Sequence, residues 1–281
     1  MQKKICIVGG NGEMGQMSQY IFSKFLPEYK LTIFEENDWN NPKGKLANQD
    51  IVILSVPIYL TEKIIKKVIP YLSLGTILAD YTSIKQEPLD AMLEYYDGPV
   101  VGLHPIFGPT IKHPEKQVIV VCDGRYQEQY KYFINDLAKI GFSIEKMTAK
   151  DHDKAMTFIQ GIEHFSVYCL GMFLKHKNID ISKMLKLASP VYKMELNIVG
   201  RLFSQGPGLY ADIIMSDENR QEAIAEFAEF VAENSKVITK GDKQAFIENF
   251  KAVKLWMGDF AEQAYKDSDR LLLKKKLSLL Y

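Results

Sequence analysis

The chain has 281 residues, of which 47% are hydrophobic and 25% charged. That is ordinary globular usage, with enough chain for one large domain or two ordinary ones. Its 35 basic and 35 acidic residues cancel, which argues against nucleic acid or an anionic membrane as a partner. No apolar run is long enough to span a bilayer. Met1 leads directly into "KKICIVGG", without a signal-peptide pattern, so a cytoplasmic protein is expected. Cys6, Cys122 and Cys169 lie far apart in apolar runs. They have no metal or redox spacing and are expected as buried reduced thiols. No metal site is expected.

In chain order, apolar runs at 4–9, 30–35, 50–57, 75–81, 99–104 and 117–122 read as strands. They are continuously apolar rather than alternating, as in a parallel sheet covered on both faces. Amphipathic stretches at 12–26, 61–71 and 127–139 lie between them. The order predicts a doubly wound α/β domain over residues 1–150.

The first strand runs into "ICIVGGNGEMGQM". Gly10, Gly12 and Gly15 satisfy G-x-G-x-x-G between a strand and a helix, the context that makes this pattern informative. Gly10 is expected to make the tight turn, Gly12 to admit a pyrophosphate and Gly15 to pack helix on strand. The loop Gly10, Asn11, Gly12, Glu13, Met14 and Gly15 would then hold a dinucleotide at a helix N-terminus, in a Rossmann-type domain. The alternative is a glycine-rich turn without a ligand. Glu35 ends the second strand, where a carboxylate can bind the ribose hydroxyls and repel a 2′-phosphate. NAD is therefore expected, with Glu36 as the fallback residue. Ser55, Val56 and Pro57 follow the third strand and are expected to line the cofactor cleft.

Two further strand ends carry polar groups, "DYTSIK" (80–85) and "GLHPIFGP" (102–109). His104 is a candidate acid or base because imidazole titrates near neutral pH. Ser83 could orient its ring or share the proton, and Lys85 lies nearby. The plain alternative for His104 is a turn residue.

Beyond residue 150 strand patterns stop. Helices are expected at 150–177, 189–203, 217–239 and 242–276, giving an all-helical domain over 151–281. The 150–177 helix is apolar nearly all round, which implies burial against another subunit and hence a homodimer. On it, Gln160 and His164 are four apart and share a face. They are either two buried, hydrogen-bonded side chains or substrate contacts. Lys193, Asn197 and Arg201 also recur every four residues. That stripe is either a solvated face or a place where Arg201 grips a carboxylate. His113 and His176 read as surface residues, and His152 as lying near the corner between the two halves.

The motifs "IVGGNGEMG", "LSVPIYLT", "DYTSIKQEPL", "GLHPIFGP", "HDKAMTFIQGIEHF", "ASPVYKMELNIVGRLF", "LYADIIM" and "GDKQAFIENF" occur in order along the chain. In these the chain resembles the prephenate dehydrogenase family, and within it the dehydrogenase part of the enteric bifunctional enzymes with chorismate mutase. The resemblance implies NAD-dependent oxidative decarboxylation of prephenate to 4-hydroxyphenylpyruvate in tyrosine biosynthesis. It implies that His104 receives the proton of the substrate 4-hydroxyl, with Ser83 near that hydroxyl and Lys85 close by. It implies that Arg201 binds a substrate carboxylate, and that His164 and Tyr210 serve substrate or inhibitory tyrosine, with Gln160 grouped beside them. Gly10, Gly12, Gly15 and Glu35 match the NAD site. Two departures stand out. Met1 precedes the first strand almost directly, so no mutase segment is expected. Lys193 replaces an arginine, keeping charge without the planar fork, and Glu163 replaces a basic residue. The rival readings are an arogenate dehydrogenase, a β-hydroxyacid dehydrogenase, against which "GLHPIFGP" argues, and a non-catalytic dimer that senses NAD or tyrosine.

Overall fold

The computed structural model describes residues 2–275. It contains two compact units, Met1–Ile159 with Ala211–Ser216, and Gln160–Tyr210 with Asp217–Tyr281. The return of 211–216 to the first unit has no sequence mark.

The first unit is built on strands β1 (Lys3–Val8), β2 (Tyr29–Phe34), β3 (Ile51–Leu54), β4 (Ile77–Asp80), β5 (Val100–Pro105), β6 (Val118–Asp123) and β7 (Ser143–Lys146). They form one sheet in the order β2-β1-β3-β4-β5-β6-β7. Its helices are α1 (Glu13–Phe25), α2 (Lys43–Leu46), α3 (Thr61–Val68), α4 (Gln86–Tyr95), α5 (Gln127–Lys139) and α6 (Ala149–Met156). The first five strands are mutually parallel, but β6 runs antiparallel to β5. This corrects the expected all-parallel sheet. Parallel pairing needs a crossover, usually a helix, and residues 106–117 contain none. The unexpected β7 pairs parallel to β6. It reads Ser-Ile-Glu-Lys and is largely exposed, so it carries no apolar run.

Side chains alternate between two buried faces, which explains the continuous apolar runs. Ile5, Ile7, Ile53, Val101 and Leu103 face α1 and α5, with Phe22 and Phe133 meeting edge-on. Cys6, Val8, Val52, Leu54 and Val100 occupy the other face, with Ile65 of α3, Met92 of α4 and Ala149 of α6. Each such aliphatic side chain contributes roughly 1.5–3 kcal/mol on full burial. The parity puts Gly102 and His104 on the α3, α4 and α6 face. Cys6 and Cys122 are buried, and burial pushes both thiols up to about 12. Cys169 is exposed, contrary to expectation.

The second unit is helical: α7 (Glu163–His176), α8 (Ile181–Leu187), α9 (Pro190–Phe203), α10 (Pro207–Ile214, whose last turn belongs to the first unit), α11 (Glu218–Thr239), α12 (Lys243–Met257) and α13 (Asp259–Lys275). The single helix expected over 150–177 is instead α6 and α7 joined by a π-helical stretch, Thr157–Ile162. Thr157 donates to the Asp153 carbonyl at 3.0 Å, a back-bond that bends helices, and Gly161 weakens α-helical propensity. No residue of α7 is fully buried: Phe203 of α9 stacks on Tyr168, while Leu170, Met172 and Phe173 stay exposed in the single chain. Ser189 caps α9, accepting from the Tyr192 amide at 3.2 Å. The helix expected over 242–276 breaks at Gly258, whose φ of +54° ends α12 in a conformation that favours glycine. Among the described residues no helix is long and apolar enough to cross a membrane.

Candidate active site

The glycine loop follows β1. The positive φ of +79° lies at Gly9, so Gly9 rather than Gly10 makes the tight turn. A Cβ at Gly10 would come within 2.8 Å of the Ile33 side chain, and one at Gly15 within 2.5 Å of the Gly10 backbone. A Cβ at Gly12 would meet only the Gly9 carbonyl, at 3.3 Å. The loop is therefore packed tightly on its inner side and open at Gly12. No side chain caps α1, which leaves its first amides and positive dipole end for an anion. Glu35 Oε1 accepts from the Asn11 amide at 2.6 Å, which places the β2 carboxylate against the loop. Ser55 and Val56 abut Gly9 from the β3 side, with Pro57 next in the chain. Glu13 is exposed, and Met14 packs against the hydrophobic core. Backbone donors for a pyrophosphate and a carboxylate for ribose hydroxyls fit a bound NAD.

The second group lies at the far end of β4 and β5. Asp80 of β4 is level with Gly102 of β5. Ser83 follows β4 and is partly buried. His104 is 3% exposed, opposite Val120 of β6. Its Nδ1 lies 2.7 Å from Nε2 of His152, with the two rings edge-on. Thr148 caps α6 through the Asp151 amide, and the helix buries Ala149, His152 and Met156 as one stripe. Nδ1 of His152 lies 2.7 Å from Asp153 Oδ1. The Asp153 carboxylate also accepts from the amides of Lys85 and Gln86, both at 2.8 Å, at the start of α4. Burial alone would raise the Asp153 carboxyl, but the His152 ring and these amides outweigh it and hold it below the usual range.

Lys85 is fully buried. Its ammonium pairs with Asp80 and donates to the Leu103 carbonyl at 2.9 Å. Asp80 also accepts from the Thr82 amide and hydroxyl. Lys85, grouped in the sequence with the substrate-binding residues, is thus a buried cross-tie between the ends of β4 and β5. Gly102 makes room for it, since a Cβ there would approach Lys85 Cδ to 3.2 Å.

In the helical unit, the His164 ring packs edge-on against Tyr210 at 5.1 Å, and its Nδ1 contacts the Glu163 carboxylate. Tyr210 receives a hydrogen bond from Gln205 at 3.0 Å. Burial raises its phenol, and the charge of nearby Arg201 works against that rise. Lys193, Asn197 and Arg201 are all exposed on α9, whose buried side is Leu196, Val199 and Leu202. Gln160 falls inside the π-helical stretch, so its four-residue spacing to His164 does not fix a common face. His113 is exposed, as expected.

Family models described as prephenate dehydrogenase, nucleotide-binding domain, and prephenate dehydrogenase, dimerization domain, match residues 30–141 and 148–252. The T-protein of Enterobacter agglomerans is 40% identical over 270 residues, covering 96% of this chain and 72% of that protein. The T-protein of Haemophilus influenzae is 41% identical over 271 residues, covering 96% and 71%. The chain belongs to the prephenate dehydrogenase family. A crystal structure of prephenate dehydrogenase from A. aeolicus, in complex with hydroxyphenyl propionate and NAD+, shares the fold. Its TM-score is 0.74 at 18% identity, covering 91% of this chain and 97% of that one.

Within this prephenate dehydrogenase fold the first unit brings Glu35, Ser55 and Val56 against the glycine loop and carries Pro57, Ser83 and His104 after or at the ends of its strands. The second gathers Arg201, His164 and Tyr210. Sequence reasoning missed Gly9, His152 and Asp153. Gly9 is adjacent to the motif it completes, and its double glycine was the available signal. His152 is 48 positions from His104, and no local spacing links them.

Proposed function

We infer that this chain is an NAD-dependent prephenate dehydrogenase that converts prephenate to 4-hydroxyphenylpyruvate and carbon dioxide, a step toward tyrosine. The observation that carries this is a buried histidine at the carboxyl-terminal end of a dinucleotide-binding sheet, with one ring nitrogen already engaged. The amides of the glycine loop and Glu35 hold the cofactor, which when bound accepts the hydride from the substrate's carbinol carbon. His104 takes the hydroxyl proton on Nε2 as that carbon becomes a carbonyl. The ring carboxylate leaves as carbon dioxide, and its electron pair makes the ring aromatic. The phenolate oxygen then takes the proton back from His104, so no net proton is released. Ser83 hydrogen-bonds the same hydroxyl, and Arg201 pairs with a substrate carboxylate through its planar fork. His164, Tyr210 and Gln160 contact the substrate or a tyrosine inhibitor.

The active form is a cytoplasmic homodimer. Its support is the dimerization-domain match and an apolar groove of about 1100 Å³ along α11, α12 and α13. Phe230, Phe246, Phe250 and Tyr265 line it, each at least half exposed in the single chain. Contiguous apolar surface of this kind marks association sites. The buried thiols of Cys6 and Cys122 suit a reducing compartment.

Nicotinamide reduction by the purified chain, with prephenate and arogenate side by side and NAD compared with NADP, tests the reading. Faster turnover of prephenate with NAD is expected. Faster turnover of arogenate would favour the arogenate reading, and no reduction with either would leave only a binding protein.

A further inference from the structure

We propose that His152 and Asp153 are positioning residues for His104, fixing its tautomer and holding its proton during turnover. The inference rests on the reading of His104 as the base. The three groups form one line within the first unit. Asp153 lies 2.7 Å from Nδ1 of His152, and Nε2 of His152 lies 2.7 Å from Nδ1 of His104. Each short contact needs one proton. An ionised carboxylate only accepts, so His152 carries its proton on Nδ1 and presents a lone pair at Nε2. His104 must then donate from Nδ1, which leaves the lone pair on its Nε2. The line therefore selects the one neutral tautomer of His104 in which Nε2 is a base.

The carboxylate that starts the line is itself fixed. Asp153 accepts two amide hydrogen bonds at the start of α4, where the helix dipole also favours negative charge. His152 is fully buried between this anchor and His104, so neither ring can turn without leaving a buried nitrogen unpaired. A 71° interplanar angle keeps His152 from stacking on the ring it orients.

The same line can accept charge. When the substrate O–H bond breaks, an N–H bond forms at Nε2 of His104. The Nδ1–H bond of His104 can then break as an N–H bond forms at Nε2 of His152, which moves the positive charge next to Asp153. The reverse shift returns the proton to the phenolate. No other reactant enters.

The test uses the full chain with prephenate and NAD, and three variants. In His152→Leu the acceptor is lost, and kcat is expected to fall at least about thirtyfold, approaching the roughly hundredfold or greater contribution of a general base. KM for prephenate and for NAD is expected to stay within about twofold. In His152→Gln a carbonyl oxygen can accept from His104 but cannot take its proton, so kcat should recover at least about fivefold over His152→Leu and stay below the parent. Asp153→Asn can place an amide N–H₂ against His152, invert both tautomers and lower kcat as His152→Leu does. This variant also keeps the question answerable if His152→Leu does not fold. A His152→Leu or Asp153→Asn kcat within twofold of the parent would overturn the proposal, as would a loss confined to KM. Glutamine no better than leucine would overturn positioning, and glutamine equal to histidine would overturn proton holding. If the parent chain itself does not oxidise prephenate, the reading of His104 fails instead.

Discussion

A histidine works as a base only while its ring is held and its reactive nitrogen lacks a proton. At position 104 the burial, the strand pairing and the His152 contact all restrain the ring. The restraint extends to Lys85, whose ammonium holds the Leu103 carbonyl immediately before His104. Replacing Lys85 by Met should therefore act through the fold rather than through substrate affinity. Removing one partner of a buried pair leaves the other charge uncompensated, at a cost of about 3–5 kcal/mol. Denaturant unfolding should show that loss while KM for prephenate changes little. A raised KM with unchanged stability would instead assign Lys85 to substrate binding. His104 was legible in the sequence because proline, glycine and an apolar run mark its strand end locally. The burial of Lys85 was not legible, because a lysine near a serine and a threonine reads as a polar loop and its pairing with Asp80 is set by the fold.

At the scale of elements, the strand–loop–helix start is the most informative piece. Its glycines do different work, and substitution should separate them. Gly12→Ala adds a methyl on the open side, so KM for NAD should rise with stability nearly unchanged. Gly15→Ala drives a methyl to 2.5 Å from the Gly10 backbone, and should lower thermal stability before any kinetic effect is seen. Equal behaviour of the two variants would contradict the assignment. Continuous apolar runs made β1 to β6 readable, because both faces of the sheet are buried. It could not report the direction of β6, which depends on a missing crossover helix, or the exposed edge strand β7. The split of the 150–177 helix was hidden for another reason. A π-helical stretch changes hydrogen-bond partners without changing apolar content.

At the scale of the whole molecule, the helical unit leaves large apolar side chains uncovered, Trp256 at 81% and Phe250 at 65% exposed. A second copy of the chain would remove that surface from water. Phe250→Glu should lower the dimer fraction in sedimentation at fixed concentration, whereas an unchanged dimer would move the interface elsewhere. The sequence pointed to a partner through the apolar 150–177 helix, but the groove on α11 to α13 was not foreseen, since helices that cover only one side look amphipathic from either.

The central claim is that His104 supplies the base while the glycine loop independently holds NAD. The most direct measurement is kcat for prephenate oxidation by His104→Asn beside its NAD dissociation constant. A fall in kcat of about a hundredfold to ten-thousandfold with NAD affinity nearly intact is the predicted result. Turnover near that of the parent chain would contradict the account.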